Sequence, residues 1–241
     1  MSKLIVGNWK LNPESASEAE ALASAVDRRG TVVCPPFLYL ATLKKALKRA
    51  KLGSQDAFWL NSGAYTGEVS PSQLKSLGVK YVIVGHSERR RFLLESDEMI
   101  NRKVEAVLHL KLNAILCIGE DLETHGRGGG AALAYIKEQL RRDLDNIDVK
   151  YLKNLIVAYE PVWAISTFQT GLRDTPENAQ KTIEQIKDFL AKRYRLSQSV
   201  VLYGGSVNAA NASGYLSQAS IDGVLVGAAS LKPNEFNKIG I

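Results

Sequence analysis

The sequence predicts an α/β fold, a single (β/α)8 barrel spanning residues 1–241, and three observations carry that expectation. Short β-branched runs alternate with longer amphipathic segments, an order that builds a parallel sheet through right-handed crossovers. The strand-like runs number eight, and 241 residues is close to the ~250 typical of a closed barrel. The first run leads into Gly7-Asn8-Trp9-Lys10, which is not the GxGxxG of an open dinucleotide-binding sheet.

Taken in order, residues 4–6 form the first apolar run and 17–27 the first amphipathic segment. Strand 31–34 precedes helix 38–50, whose lysines and arginines read as a solvated face, and 52–56 is a weak third strand. Helix 71–77, strand 81–84, helix 97–110 and strand 114–118 continue the alternation. The Gly128-Gly129-Gly130 run reads as loop; without the Lys-Ser/Thr pair of a P-loop it carries no phosphate role. Helix 132–144, strand 155–159, helix 176–194, strand 200–203, helix 209–217 and strand 224–226 follow. The tail after Pro233 is short, so the eighth helix is expected to be truncated.

Composition narrows the function classes. The chain is 45% hydrophobic and 23% charged, as in ordinary globular proteins, and no linker divides it. No apolar run approaches the roughly 18 residues of a membrane span, and the amino terminus lacks the layout of a secretory signal, so a cytoplasmic location is expected. The formal charge of +6 suits an anionic metabolite as well as nucleic acid. The basic residues lie along helical faces without the interleaved aromatics of a single-strand platform, which argues against nucleic acid. Cys34 and Cys117 sit in apolar runs with no CxxC spacing, and His86, His109 and His125 lack metal-ligand spacing; neither a metal nor a cofactor is expected.

The chemistry gathers at the carboxyl ends of the strands, where such barrels hold their active sites. Glu160 directly follows the run 155–159, and Pro161 biases it away from helix, so a carboxylate is aimed in front of the sheet as a candidate general base. Asn8 and Lys10 follow the first run, and Gly85-His86-Ser87-Glu88-Arg89-Arg90 the fourth. Each alone has a bland reading: a salt-bridged glutamate, a turn-forming asparagine, a surface lysine, a histidine at a helix start. Together they supply the base, the acid or electrophile and the cation needed to move a proton beside a carbonyl. Gly204-Gly205-Ser206 after the seventh run and Gly227-Ala228-Ala229-Ser230 after the eighth place small residues where backbone N–H groups can meet a phosphate; close strand-to-helix packing is the alternative.

Gly7-Asn8-Trp9-Lys10, Thr66-Gly67-Glu68-Val69-Ser70, Val84 through Arg90, Cys117-Ile118-Gly119-Glu120, Ala158 through Ile165 and Tyr203 through Val207, in this order, resemble the triosephosphate isomerase family over nearly the whole chain. The resemblance implies a TIM barrel that interconverts dihydroxyacetone phosphate and D-glyceraldehyde 3-phosphate through an enediolate, in glycolysis and gluconeogenesis. It implies Glu160 as base, Lys10 and Asn8 against the enediolate oxygens, and Glu88 positioning the lysine. A neutral His86 as proton shuttle and closure of a lid beginning at Pro161, Val162, Trp163, Ala164 and Ile165 are the family's own worked behaviour and come with the resemblance. Cys117 occupies a position beside the catalytic residues, where packing is the role expected. Ser166, Ser206, Gly227 and Ala228 fall where the family grips phosphate, and Thr66 where one subunit reaches toward its neighbour's Asn8 and Lys10, implying a homodimer.

Two departures stand out. The lid reads Ser166-Thr167-Phe168-Gln169-Thr170-Gly171 where the family has Gly-Thr-Gly, about three additional residues, so either Ser166 or Gln169 replaces a phosphate-binding glycine. Ala228 replaces a second glycine after Gly227. Both touch lid timing and phosphate affinity rather than proton transfer. An impaired barrel serving as an interaction protein, and a different phosphosugar enzyme on the same scaffold, are the competing readings.

Overall fold

The computed structural model describes residues 3–168 and 170–240. The eight strands are β1 (Leu4–Asn8), β2 (Thr31–Cys34), β3 (Lys51–Ser54), β4 (Tyr81–Val84), β5 (Asn113–Ile118), β6 (Leu155–Tyr159), β7 (Val200–Tyr203) and β8 (Gly223–Val226). All pair in parallel in the order β1 to β8, and β1 closes on β8 with Leu4 opposite Gly223. The (β/α)8 barrel expected from the alternation is the fold found.

The helices are α1 (Ala16–Val26), α2 (Leu40–Ala46), α3 (Pro71–Ser76), α4 (Ser87–Phe92), α5 (Asp97–His109), α6 (Leu122–Gly126), α7 (Gly129–Asp143), α8 (Pro176–Tyr194), α9 (Ala212–Leu216) and α10 (Pro233–Phe236). Their starts are written locally. Ser15 and Glu18 close a capping box on α1, Ser70 and Gln73 another on α3, and Thr175 caps α8 before Pro176, whose missing N–H costs nothing in a first turn. The glycine run is not the loop expected of it. Gly128, at φ 96°, is the N-cap, and Gly129 and Gly130 already belong to α7, because the apolar face from Ala132 onward anchors the helix and carries two poor helix formers with it. The third strand ends at Ser54 rather than at residue 56, where Asp56 has turned into a buried ion network, and α10 is the short final helix expected.

Two packed layers result. Val6, Cys34, Ile83, Ile115, Ala158, Leu202 and Leu225 fill the barrel interior, and a larger shell lies between sheet and helices. Period-two alternation then settles what reaches the mouth. Val6 points inward, so Asn8 does; Ala158 points inward, so Glu160 continues that row; Leu202 and Leu225 do the same for Gly204 and Gly227.

Candidate active site

A cavity of about 930 Å³ opens at the carboxyl ends of the strands, lined by Asn8, Lys10, His86, Glu160, Ala164, Ile165 and Thr167 from the segment after β6, and the loops holding Gly204, Gly205, Ser206, Gly227 and Ala228. The four polar side chains singled out in the sequence therefore share one space with both glycine-rich loops.

Glu160 is 2% exposed and fully engaged. Its Oε1 lies 3.1 Å from His86 Nε2, and Oε2 accepts the backbone N–H of Ser87 at 3.0 Å. Glycines make the room. A Cβ on Gly204 would stand 2.8 Å from Glu160 Cγ, and one on Gly119 would stand 1.8 Å from the Glu160 carbonyl oxygen. His86 is the N-cap of α4, and its Nδ1 accepts the Glu88 N–H at 3.2 Å. A backbone donor on Nδ1 requires a lone pair there, which fixes the tautomer with hydrogen on Nε2, aimed at the Glu160 carboxylate.

Lys10 sits at φ 53°, a strained conformation for a side chain of its length, held by two bonds: its N–H donates to Asn8 Oδ1 at 3.0 Å and its carbonyl accepts from Gln55 Nε2 at 2.8 Å. The ammonium donates to Glu88 Oε1 at 2.6 Å and to Thr167 Oγ1 at 3.0 Å. Glu88 thus faces Lys10, while the two arginines after it turn the other way. Arg89 pairs with Asp56 and Glu95, and Arg90 with Asp97 and Asp143. Burial pushes the Asp143 carboxyl up to about 7, its Arg90 partner pulling the other way.

Cys117 is buried in the barrel interior, and burial together with the neighbouring Glu160 charge pushes its thiol well above the ordinary value, which disfavours a nucleophilic thiolate. Just after β6, Trp163 Nε1 donates to Glu120 Oε1 at 2.7 Å, Tyr159 OH donates to the same oxygen at 3.1 Å, and His125 stacks on the indole at 3.8 Å. Ser206 Oγ donates to the Ala164 carbonyl at 2.9 Å, and Asn211 Nδ2 braces the Ser206 carbonyl. Ala228 opens a short 3-10 turn, Ala228–Leu231, with its methyl exposed to the cavity. The Ser166 side chain and Gln169, the two alternatives for the missing lid glycine, lie outside the described residues. Thr66 is exposed on the loop between β3 and α3.

Sequence reading missed the Ser87 N–H, a backbone donor without a side-chain signal. It also missed Gln55, Asn211 and Thr167, whose roles depend on contacts 45, 5 and 157 residues away. Glu120 stood in a quoted motif with no role attached.

A sequence model of triosephosphate isomerase matches residues 3–240. The triosephosphate isomerase of Coprinopsis cinerea is 43% identical, across 96% of this chain and 94% of its own length. Those of Alkaliphilus oremlandii and Dictyoglomus thermophilum are 41% and 40% identical, each across 97% of this chain and 96% of their own. The chain belongs to the triosephosphate isomerase family. Membership makes it an isomerase of triose phosphate, an activity of glycolysis. A triosephosphate isomerase chain therefore carries at its mouth the Glu160 carboxylate against the His86 imidazole, with the Lys10 ammonium lining the same cavity. Among the described residues no three His, Cys, Asp or Glu side chains cluster as metal ligands, and no helix is long and apolar enough to cross a membrane.

Proposed function

We propose that Glu160 is the base that takes the proton from the carbon beside the carbonyl of dihydroxyacetone phosphate and returns it to the neighbouring carbon, giving D-glyceraldehyde 3-phosphate. The observation that carries this reading is the contact of 3.1 Å between Glu160 Oε1 and His86 Nε2 at the mouth of the barrel. A substrate whose carbonyl oxygen replaced Glu160 as the acceptor of the Nε2 proton would leave the carboxylate free beside the adjacent carbon.

His86 then polarises the carbonyl and passes a proton between the two oxygens as a neutral ring; the Glu88 N–H on Nδ1 supports that tautomer. Lys10 offsets the negative charge that grows on the enediolate, held toward it by Glu88, and the Asn8 amide, whose Oδ1 is taken by the Lys10 N–H, turns its NH2 to the same oxygens. The phosphate lies against the Gly204–Ser206 and Gly227–Ala228 backbones, with Ser166 or Gln169 from the lid. Ala228 keeps the N–H of the glycine it replaces, so the cost of its methyl falls on affinity rather than on the proton transfer. Residues 161–175 form the lid that excludes water from the enediolate. The chain acts as a cytoplasmic homodimer, a single barrel per subunit, with Thr66 reaching the partner's site.

The test is interconversion of the two triose phosphates by purified protein beside Glu160→Gln prepared identically. We expect the variant to lose roughly two to four orders of magnitude in kcat with an unchanged unfolding midpoint. A folded wild type no faster than the variant would remove Glu160 as base and bring the interaction-protein reading forward.

A further inference from the structure

The extra lid residues do not hang in solvent. Within the short turn Ser166–Phe168, the Phe168 ring lies 6.1 Å from the Phe92 ring, inclined by 28°, and the Arg91 guanidinium carbon stands 4.8 Å above its centroid. Arg91 also covers Phe92, at 5.7 Å. Both clasping residues come from the last turn of α4, the helix that His86 caps and from which Glu88 reaches Lys10. Among the described residues no carboxylate pairs with Arg91, so the aromatic faces are its partners. The residue before Phe168, Thr167, spends its hydroxyl on the Lys10 ammonium, and Glu88 takes a second of the three donors there.

We propose that Phe168 is a positioning residue of the lid: clasped by Arg91 and Phe92, it holds the loop over α4 with Thr167 on Lys10, so that a substrate gains a second donor of the ammonium only when Thr167 withdraws and the clasp loosens. The inference rests on the reading of Lys10 as the cation that meets substrate and of residues 161–175 as a lid. Barrel order supplies the geometry. The strand before α4, β4, lies opposite β8, and Gly227 follows β8; a Cβ on Gly227 would stand 3.6 Å from Lys10 Nζ, so the clasped loop reaches from α4 across the mouth to the ammonium beside that phosphate loop. Phe168 and Arg91 also wall a second cavity of about 640 Å³ on the other side of Glu160, together with Ser87 and Trp163, which leaves open space beneath the clasped loop. The clasp thus competes with the ligand for one donor of the ammonium.

The probe is glycerol 3-phosphate, which carries the phosphate and a triose skeleton but no carbonyl to isomerise, measured as a competitive inhibitor. Phe168→Ala and Arg91→Ala should each lower its inhibition constant and the substrate KM by roughly two- to fivefold, the factor corresponding to one exposed cation–π contact. The double variant should gain no more than Phe168→Ala alone, because that change already removes the Arg91 contact, and Phe168→Tyr, which keeps the ring, should restore the wild-type constant. A constant that is unchanged or raised in the alanine variants overturns the clasp, as does full additivity. Lys10→Met separates the layers of the argument. If it binds glycerol 3-phosphate as tightly as the wild type, the reading of Lys10 fails and the clasp with it; if it binds weakly while Phe168→Ala binds no better, the clasp alone fails.

Discussion

Asp174, just before the α8 cap, shows how a single carboxyl can set a pH dependence. It is 7% exposed, Oδ1 accepts the Thr175 N–H and the Asn178 amide, and Oδ2 has no partner. Burial outweighs those two bonds and pushes the group up from 3.8 to about 6. The folded state therefore holds this proton more firmly than the unfolded chain does. Its contribution to stability is complete below the unfolded value near pH 4 and is lost as pH rises through about 6, a loss of roughly 2–3 kcal/mol at full effect. Asp174→Asn retains an acceptor at Oδ1 and removes the titration. We expect thermal unfolding at pH 5 and at pH 7.5 to show the variant gaining on the wild type at the higher pH; an identical pH dependence in both would show that the group does not titrate in this window. Lys10 is the other residue whose backbone matters. At φ 53° it carries strain that the Asn8 and Gln55 bonds hold in place, so Gln55→Leu should lower turnover more than it lowers the unfolding midpoint, as read by kcat beside calorimetry.

Among the elements, α4 does more than its six residues suggest. His86 caps it, Glu88 leaves it for Lys10, Arg90 bonds to the Gly85 and Cys117 carbonyls beneath it, and Arg89 ties it to Asp56 and Glu95. The last two acids share the Lys103 ammonium, which is itself buried: it lies 2.8 Å from Asp56 and also contacts Glu95. Removing one member of such a network strands the others without water. Lys103→Met should destabilise the protein by about 3–5 kcal/mol in urea unfolding; a loss under 1 kcal/mol would mean that Arg89 alone neutralises both acids. The same elements show what sequence makes legible. The strand runs themselves place Asn8, Glu160, Gly204 and Gly227 at the carboxyl ends of β1, β6, β7 and β8, and the packed interior then decides which face looks inward, because these strands are buried on both faces. The glycine run ahead of α7 was misread since its helical state comes from packing further along, and α6 went unnoticed because five residues are too few to show a period. Thr167 and Phe168 lie in a segment with no periodicity at all, so their partners after β1 and on α4 become visible only in three dimensions.

For the whole molecule, the largest exposed apolar side chains include Leu11, Tyr65, Phe92, Leu93 and Leu94, on the loop after Lys10, the loop that holds Thr66, and the end of α4. The first two are the segments that the homodimer reading sets against a second subunit. Light scattering should return twice the chain mass, and Thr66→Arg should yield a smaller species with reduced kcat; a monomeric wild type of full activity would overturn the dimer. A different consequence follows from where the sulfur lies. Cys34 and Cys117 are both sealed in the barrel interior, and burial raises both thiols far from the pH at which alkylating reagents find a thiolate. The native surface is therefore silent to maleimide chemistry. A cysteine placed at the exposed Leu172 would be the one site to take a fluorophore or spin label, and the loop over the mouth could then be followed in time on a protein with no background to subtract.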